Sequence, residues 1–329
     1  MTRLGLLTSG GDAPGMNAAI RAAVRCASER GIESVGVRRG FDGLVEGDVI
    51  RLDDRAVGGI IERGGTLLRS ARSAAFLTEE GRSRALEVVA SEQLDAILVI
   101  GGNGSLHGAK WLDENGVPAI GIPASIDNDV SGTQMAIGVD SALNTVVECL
   151  NRIRDTAIAH ERAFVVEVMG RESGYIALMG GLAGGAEIVL LPEVPVSLRS
   201  VAERVVASTR KGKRHSIIVV AEGFVPTDEP LRGRGPGRAV VDVLGEIDTL
   251  EARLTILGHL LRGGSPTAFD RIFASRLAET AVSHVHAGRH GLMTAYVQGG
   301  IEVAPLDAID GPCENVDRAL LDLLNVVAH

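Results

Sequence analysis

Short apolar runs rich in Val and Ile recur along the chain, and most are followed by a glycine-containing turn and an amphipathic run. Their length and composition predict strands at 4–7, 34–37, 96–100, 118–122, 162–168, 216–220 and, as the last strand, 291–297, while 187–191 is a further short apolar run. Helical spacing of apolar positions predicts helices at about 18–27, 78–90, 106–115, 138–160, 197–210, 269–284 and 315–327, with another that ends near 185. This alternation is typical of an α/β protein with two doubly wound Rossmann-like domains, whose mainly parallel sheets are each flanked by helices.

Three segments give weaker patterns. The segment 42–53 is interpreted as turns, and 250–261 as a helix or turn. The segment 225–240 combines three prolines, three glycines and three arginines, which predicts a mobile surface loop.

Composition narrows the classes of protein that the chain can represent. Of its 329 residues, 45% are hydrophobic but only 3% are aromatic, so the core must consist mainly of aliphatic side chains, as suits a parallel sheet covered by helices. The net charge of −9 argues against a nucleic-acid-binding protein, and no apolar run is long enough to predict a membrane span. Three scattered cysteines suggest neither disulfides nor a metal site, which favours the cytoplasm.

Polar side chains collect where two of the predicted strands end. Ser125, Asp127 and Asp129 follow the strand at 118–122, and a glycine-rich turn at 101–105 follows the strand at 96–100. Ligands of open α/β sheets bind at such carboxyl ends, so these residues are candidates for binding and proton transfer. A solvated turn is the alternative for Asp-Asn-Asp alone, as is tight packing for the glycines alone.

Two further segments suit phosphate. The turn at 8–17 again places glycines before a helix, where backbone N–H groups can bind an anion. The glycine-rich run at 63–72 places arginines in a loop, from which a guanidinium could clamp phosphoryl oxygens. At the turn 101–105, neither the Walker pattern nor the dinucleotide fingerprint is present.

Taken together, seven motifs resemble those of the bacterial 6-phosphofructokinase family, in order and with compatible spacing over about residues 3–300. They are 8–17, Arg72, 101–105, 125–129, 169–171, 221–223 and 257–266. Lipid and NAD kinases share a glycine-rich loop but lack the Asp-Asn-Asp, Met-Gly-Arg and Gly-His…Arg-Gly-Gly runs. The resemblance implies Mg²⁺-dependent phosphoryl transfer from ATP to the C1 hydroxyl of fructose 6-phosphate, a step of glycolysis. Phosphoryl transfer requires mainly that the donor and acceptor are positioned and that the charge on the moving phosphoryl group is neutralised.

The resemblance also implies a role for each matched residue. Asp127 would be the general base, Arg72 would bridge donor and acceptor, and Arg171 would complete the catalytic set. The donor phosphates would be bound by Gly11, Arg72, Gly102, Asn103, Gly104 and Ser105, and Mg²⁺ by Asn103 and Asp129. The sugar phosphate would be bound by Ser125, Asp129, Arg162, Met169, Gly170, Arg171, Glu222, Arg253, His259 and Arg262. Without the motifs, His259 would be read as a buried histidine and Arg162 as a surface ion-pair partner.

The family also implies an organisation of domains and subunits. We expect a donor domain at 1–138 plus about 261–311, and a fructose 6-phosphate domain at 139–260 plus about 312–329. In the family, Arg162 and Arg253 reach into a neighbouring subunit, so a homo-oligomer with shared active sites, most often a tetramer, is implied. The family's allosteric site matches Arg21, Arg25, Arg154, Glu187, Lys211 and Lys213.

The chain departs from the family pattern in three places. Asn103 replaces an Asp that helps to hold Mg²⁺, which removes a negative charge from a site for a hard cation. The segment 73–77 lacks the aromatic and arginine that pack an adenine. Asp54 and Arg55 stand where the allosteric site would have an Arg and an aromatic, so an anion fits that site better than a nucleotide.

Two alternatives to an ATP-dependent enzyme remain open. Pyrophosphate users of the family tend to carry Asp and Lys where this chain has Gly104 and Ala124, so the small residues favour ATP. Loose selectivity for the base is expected from the weak adenine platform. A catalytically weak homologue that binds sugar phosphate for regulation is the second alternative, and Asn103 is the residue that favours it.

Overall fold

Two β-sheets organise the chain in a computed structural model, which describes residues 1–247, 250–313 and 316–327. The strands are β1 (Arg3–Ser9), β2 (Glu33–Val37), β3 (Val49–Leu52), β4 (Ala96–Gly101), β5 (Ala119–Pro123), β6 (Ala163–Val168), β7 (Ile188–Leu190), β8 (Ser216–Ala221), β9 (Ala252–Ile256), β10 (Leu292–Val297) and β11 (Gly300–Pro305). The helices are α1 (Met16–Glu29), α2 (Gly40–Glu46), α3 (Glu79–Ser91), α4 (Asn103–Glu114), α5 (Val139–His160), α6 (Tyr175–Ala183), α7 (Leu198–Arg210), α8 (Pro236–Gly245), α9 (Ala268–His286) and α10 (Arg318–Val327).

The chain divides into two compact units. Unit 1 comprises Met1–Ser141 and Arg262–Cys313, and unit 2 comprises Ala142–Leu261 with the described C-terminal residues 316–327. The α/β class with mainly parallel sheets is confirmed, since only the pairs β2–β3 and β10–β11 are antiparallel among the described strands. Among the described residues, no helix has the length and hydrophobicity needed to cross a membrane.

Unit 1 contains a seven-stranded sheet in the order β11-β10-β5-β4-β1-β2-β3. From β1 the chain continues to one side of the sheet through β2, and from β4 to the other side through β5. The strand order therefore reverses between β1 and β4, whose last residues Ser9 and Gly101 are paired in register. Such a reversal opens a crevice at the carboxyl ends of the strands, where ligands bind in this class of sheet.

Unit 2 contains a four-stranded sheet, β7-β8-β6-β9, in which every pair is parallel. Its central strands β6 and β8 are almost wholly buried, so apart from Glu167 and Ser216 their sequences are apolar. The helices α7 and α8 contribute Val201, Val205 and Val240 to the core beside the sheet.

The interpretation of 42–53 as turns is wrong, because this segment contains most of α2 and all of β3. Helix α2 is only seven residues long and follows Arg39, whose φ of 60° is left-handed. Strand β3 is a four-residue antiparallel edge strand. Elements this short carry too little periodicity to be recognised, and their burial depends on the neighbouring β2 and α3.

Two predictions near the end of unit 2 are corrected as well. The predicted loop at 225–240 ends at Gly235, because α8 begins at Pro236, where proline is favoured as a first helical residue. The carboxylate of Glu167 accepts a hydrogen bond from the Gly237 N–H at 2.9 Å and so caps this helix. The segment 250–261, predicted as a helix or turn, forms β9, which pairs with β6, followed by a 3₁₀ turn at Gly258–Arg262.

In unit 1, β10 is not the last strand. A two-residue turn at Gln298 and Gly299, both with positive φ, leads into β11, as in tight hairpins with type I′ turns. Helix α4 also begins at Asn103, three residues earlier than expected, so the glycine-rich turn is partly helical. For the closing helix, the predicted first residue Asn315 lies outside the described residues, and α10 begins at Arg318.

Candidate active site

A cavity of about 400 Å³ lies in unit 1 where β1, β4 and β5 end. It brings together ten of the predicted site residues, which are Gly11, Arg72, Gly102, Asn103, Gly104, Ser105, Ser125, Asp127, Asp129 and Arg262. These residues come from five separate stretches of the chain. Their convergence at the strand reversal is what the carboxyl-end rule for parallel sheets leads us to expect.

The glycines of the pocket leave room for a ligand near the backbone. Gly10 has a φ of +82°, which a residue with a side chain rarely adopts. A Cβ on Gly11 would lie 2.5 Å from Nη1 of Arg262, so a side chain there would displace the guanidinium. Gly104 is different, because outside its own helix a Cβ there would meet no atom of the described residues within 4 Å. Packing does not explain the glycine at 104, and the space beside it stays open.

The carboxylates of Asp127 and Asp129 both line the pocket, and each faces a different partner. The Ser125 hydroxyl donates to Oδ1 of Asp129 at 2.6 Å. Oδ2 of Asp127 lies 3.9 Å from Nη2 of Arg262, while Nη1 of that arginine donates to the carbonyl of Asp12. Arg262 thus connects the Asp127 loop with the glycine turn that follows β1.

Asn128, which the sequence motif contains but to which no role was assigned, shapes this loop. Its φ of 49° is left-handed, a conformation that Asn adopts more readily than most residues. Its side chain accepts from the Ala136 N–H at 3.0 Å and donates to the Gln134 carbonyl at 3.1 Å. These bonds fix the turn between Asp127 and Asp129, so both carboxylates can line one pocket.

The loop that carries Arg72 is fastened to the start of unit 1 by Asn17, another residue without a predicted role. Its side chain accepts from the Leu67 N–H at 2.6 Å and donates to the carbonyls of Arg63 and Gly64. The Ser70 hydroxyl donates to the Gly10 carbonyl at 2.5 Å. The exposed Arg72 therefore stands on a well-anchored loop beside the glycine turn.

The far side of the pocket is apolar and corrects part of the expectation for 73–77. Phe76 from this segment lines the cavity together with Phe41 and Leu77. The rings of Phe41 and Phe76 stack with centroids 4.3 Å apart, and Leu77 is 75% exposed. Because Phe41 and Phe76 are only 4% and 5% exposed, the side chain of Leu77 provides most of the apolar surface available to a planar base, with the buried rings supporting it. Arg82, which lies close to this cluster, packs on Trp111 and donates to the Phe76 carbonyl.

In unit 2, several predicted residues lie where neighbouring strands end. Met169, Gly170 and Arg171 follow β6, and Glu222 follows β8, the strand beside it. Gly170 has a φ of +132°, and its carbonyl accepts from the Gly223 N–H at 3.0 Å. The Met-Gly-Arg run and Glu222 are thus held next to each other by backbone bonds.

The two arginines predicted to act in a neighbouring subunit share one carboxylate. Nε of Arg162 lies 2.5 Å from Oε2 of Glu251, and Arg253 pairs with the other oxygen of the same carboxylate. Glu251 was not predicted, and only the pairing of β6 with β9 brings these residues together. His259 is exposed in the 3₁₀ turn, so its reading as a buried histidine does not apply.

Comparison with known proteins decides the family. The family model described as Phosphofructokinase matches residues 3–285, well over half of the chain. The chain belongs to the phosphofructokinase family.

Relatives of similar length agree with this assignment. The chain is 49% identical over 329 residues to ATP-dependent 6-phosphofructokinase 1 of Thermus thermophilus and 47% identical over 328 residues to ATP-dependent 6-phosphofructokinase of Listeria welshimeri, with 100% of both chains covered in each case. Among solved structures, phosphofructokinase from Saccharomyces cerevisiae is similar with a TM-score of 0.86 and 35% identity. That match covers 94% of this chain but 45% of the yeast chain.

Two oxygen-bearing side chains of the pocket fit the Mg²⁺ that the family implies. Oδ1 of Asn103 is buried and accepts no hydrogen bond from the described residues, and the Asp129 carboxylate lines the same cavity. These are oxygen donors of the kind that Mg²⁺ prefers. No group of three or more His, Cys, Asp or Glu side chains in the described part of the chain could hold a metal. These residues therefore fit a Mg²⁺ ion that is bound by few protein oxygens and completes its coordination with substrate phosphates and water.

The predicted allosteric residues of this phosphofructokinase-family chain fall in both units. In unit 2, Glu187 is 8% exposed, and its Oε1 lies 2.9 Å from Nζ of Lys213 and 3.8 Å from Nη1 of Arg154. Glu187, Lys211 and Lys213 line a cavity of about 320 Å³. Arg21 and Arg25 lie on α1 in unit 1, where neither forms an ion pair with a described residue.

Proposed function

We propose that the chain is an ATP-dependent 6-phosphofructokinase that phosphorylates the C1 hydroxyl of fructose 6-phosphate in glycolysis. The observation that carries the proposal is the unit 1 pocket, in which two glycine turns, Arg72 and the Asp127 loop converge. The relatives named as ATP-dependent 6-phosphofructokinases, which match over their whole length, support the same activity.

In this proposal the glycine turns bind the donor phosphates through backbone N–H groups, and the N-terminus of α4 adds a favourable dipole. Arg72 neutralises charge that develops on the moving phosphoryl group, and Asp127 accepts the proton of the C1 hydroxyl. Asn103 and Asp129 would hold Mg²⁺, which neutralises phosphate charge when bound. Arg162, Arg171, Glu222, Arg253 and His259 bind the sugar phosphate.

ATP is the donor that the pocket favours over pyrophosphate. Gly104 and Ala124 both line the cavity, and the space beside Gly104 is open, so an α-phosphate can pass. The apolar side formed by Phe41, Phe76 and Leu77 gives the base a surface to pack against. A donor as short as pyrophosphate would leave that surface unused.

The location and assembly belong to the same proposal. We propose a cytoplasmic homotetramer in which Arg162 and Arg253 serve the active site of a neighbouring subunit. The charged residues Arg154, Glu187, Lys211 and Lys213 of unit 2 would bind an anionic effector. Sedimentation with and without fructose 6-phosphate measures the assembly, and a monomer that retains full activity would refute shared sites.

A coupled aldolase assay tests the activity with fructose 6-phosphate, Mg²⁺ and ATP or pyrophosphate. ATP-dependent formation of fructose 1,6-bisphosphate is the expected result. Turnover with pyrophosphate alone would make the chain a pyrophosphate-dependent enzyme. Binding of fructose 6-phosphate without turnover of either donor would make it the regulatory homologue.

A further inference from the structure

Asn103 makes a contact that a metal ligand alone would not need. Its Nδ2 donates a hydrogen bond of 2.8 Å to the backbone carbonyl of Asp129. Asn103 is the first residue of α4, directly after the glycine turn, whereas Asp129 lies in the loop after β5. One side chain therefore links the turn that receives the donor phosphates to the loop that carries Asp127.

The orientation of this amide follows from chemistry. The Asp129 carbonyl can only accept a hydrogen bond, so the atom of Asn103 that faces it at 2.8 Å must be the NH₂ group. The amide oxygen, Oδ1, is then directed elsewhere, and it is buried without a hydrogen bond from the described residues. The NH₂ group of the amide therefore bonds to the loop of Asp129, while its oxygen remains available to a ligand such as a metal ion.

An aspartate at position 103 could not donate the bond to the loop of Asp129. At neutral pH a carboxylate has no proton to donate, and it would place an oxygen against the carbonyl oxygen of Asp129. The substitution that adds a charge near the metal therefore removes the bond that fixes the loop.

We propose that Asn103 is a positioning residue, which acts by holding the main chain of Asp129 against the donor turn. The Asp129 carboxylate is fixed separately by the Ser125 hydroxyl, and Asn128 fixes the loop on its other side. Of these contacts, only that of Asn103 comes from the donor turn. This inference deepens the proposed kinase function and rests on it for its effect on rate.

The experiment compares Asn103→Asp and Asn103→Ala in the full chain with wild type. Asn103→Asp preserves the shape and one oxygen but loses the donor, whereas Asn103→Ala loses both. Asn115→Asp is the matched control, since it makes the same change at the other, exposed end of α4, where Asn115 Nδ2 donates to the Trp111 carbonyl. Hydrogen–deuterium exchange of a peptide covering about 126–136 is measured without nucleotide or metal. Steady-state kinetics follow at saturating Mg²⁺.

Both Asn103 variants are expected to exchange faster than wild type in this peptide, while Asn115→Asp exchanges as wild type does. Both should also lose about tenfold in kcat, which corresponds to about 1.4 kcal/mol, the order of one buried hydrogen bond. Because the backbone N–H groups that bind the donor are unchanged, KM for ATP should stay within about threefold of the wild-type value. This is well below the tenfold change that corresponds to ~1.4 kcal/mol.

Unchanged exchange in Asn103→Asp overturns the proposal, whatever happens to the rate. A kcat of Asn103→Asp equal to or above that of wild type also overturns it and would make the side chain a ligand only. If wild type transfers no phosphoryl group to fructose 6-phosphate, the proposed function fails, and the exchange measurement alone then decides whether Asn103 holds the loop.

Discussion

In unit 1, amide side chains of Asn17, Asn103 and Asn128 hydrogen-bond to backbone groups of the loops that line the pocket. In unit 2, by contrast, Arg162 and Arg253 are held by the carboxylate of Glu251. An amide bonded to backbone fixes the loop itself, and a ligand need not displace it. A carboxylate bonded to two guanidinium groups competes with any anionic ligand for them. The pocket loops of unit 1 are therefore fixed before a ligand arrives, whereas the arginine pair of unit 2, if it binds the sugar phosphate as proposed, must exchange one anion for another.

Among these predictions, the largest effect on kcat is expected from substitution of Asp127 in unit 1. We expect Asp127→Ser to lower kcat by ~10²–10⁴ while fructose 6-phosphate binding stays nearly intact, because a general base contributes to the transition state and not to substrate binding. Steady-state rates and calorimetric binding measure the two effects separately. Asp155→Ser, on the exposed part of α5, is the control. A variant that keeps more than about a tenth of the wild-type kcat would exclude Asp127 as the base.

A comparison of phosphoryl donors tests whether the shape of the unit 1 pocket determines which donor is used. We expect ATP to have the highest kcat/KM, with GTP within about tenfold, or ~1.4 kcal/mol, since an apolar surface for the base discriminates weakly between purines. Rates with ATP, GTP and pyrophosphate at saturating fructose 6-phosphate provide the measurement. A kcat/KM for pyrophosphate above that for ATP would show that Gly104 and Ala124 do not determine the donor.

Asn103→Asp separates metal binding from loop position. The added charge should lower the Mg²⁺ concentration for half-maximal rate by at least about fivefold, since even two unit charges 4 Å apart in water attract by ~1 kcal/mol and Mg²⁺ carries two. The expected loss of kcat is independent of this shift. Titration of the rate with Mg²⁺ gives both numbers, with Asn115→Asp as control. An unchanged half-saturation concentration would mean that residue 103 does not reach the metal.

In unit 2, a smaller effect, on KM for fructose 6-phosphate, is expected when the carboxylate of Glu251 is neutralised. Glu251→Gln should lower KM for fructose 6-phosphate by about threefold with kcat unchanged, because exposed ion pairs are worth ~0–1 kcal/mol and the sugar phosphate no longer has to displace one. Initial rates over a range of fructose 6-phosphate concentrations test this. Glu203→Gln, which removes an exposed carboxylate paired with Arg199, is the control. A raised KM would mean that Glu251 orders the arginines and does not compete for them.

The smallest effect concerns Asp95, an exposed carboxylate in unit 1 that is fixed by backbone groups. The N–H of Thr2, and next that of Arg3, lower the pKa of Asp95. A depressed pKa in the folded state contributes stability that is present above the unfolded value, about 3.9, and is lost as the pH falls through the folded value. Asp95→Asn should therefore lower the free energy of unfolding at pH 7 by a few tenths of a kcal/mol, given its exposure.

Thermal unfolding of wild type and Asp95→Asn checks this at pH 7 and at the lowest pH at which both stay folded. The difference between the two proteins should shrink as the pH falls towards about 4 and below. A difference that grows on acidification would contradict the assigned sign. Asp155→Asn serves as the control, because its carboxylate accepts no hydrogen bond from a described residue.

Several features of the molecule could be predicted from the sequence because their causes are local. The buried strands β1, β4, β5, β6 and β8 are continuous apolar runs, and such runs need no partner to be recognised. The starts of α3 and α7 lie within one residue of the predicted ones, because Thr78 and Ser197 each accept a hydrogen bond from a backbone N–H three residues later. The glycine turns and the Ser125–Asp129 loop of the unit 1 pocket followed from motifs at the ends of those strands, whereas Arg72 and Arg262 were matched through the family resemblance.

Other features depended on residues far apart in the chain, so only the tertiary structure could decide them. Strand β9 is half exposed and is a strand because β6 lies beside it. The side chain of Asn17 accepts a hydrogen bond from Leu67, which is 50 residues away in the chain. The side chain of Asn103 donates one to the carbonyl of Asp129, which is 26 residues away. The sequence determined which local elements form and which polar groups stand at their ends. Which of those groups bond to ligands and which bond to the protein's own backbone depended on distances that exist only after the sheets have assembled.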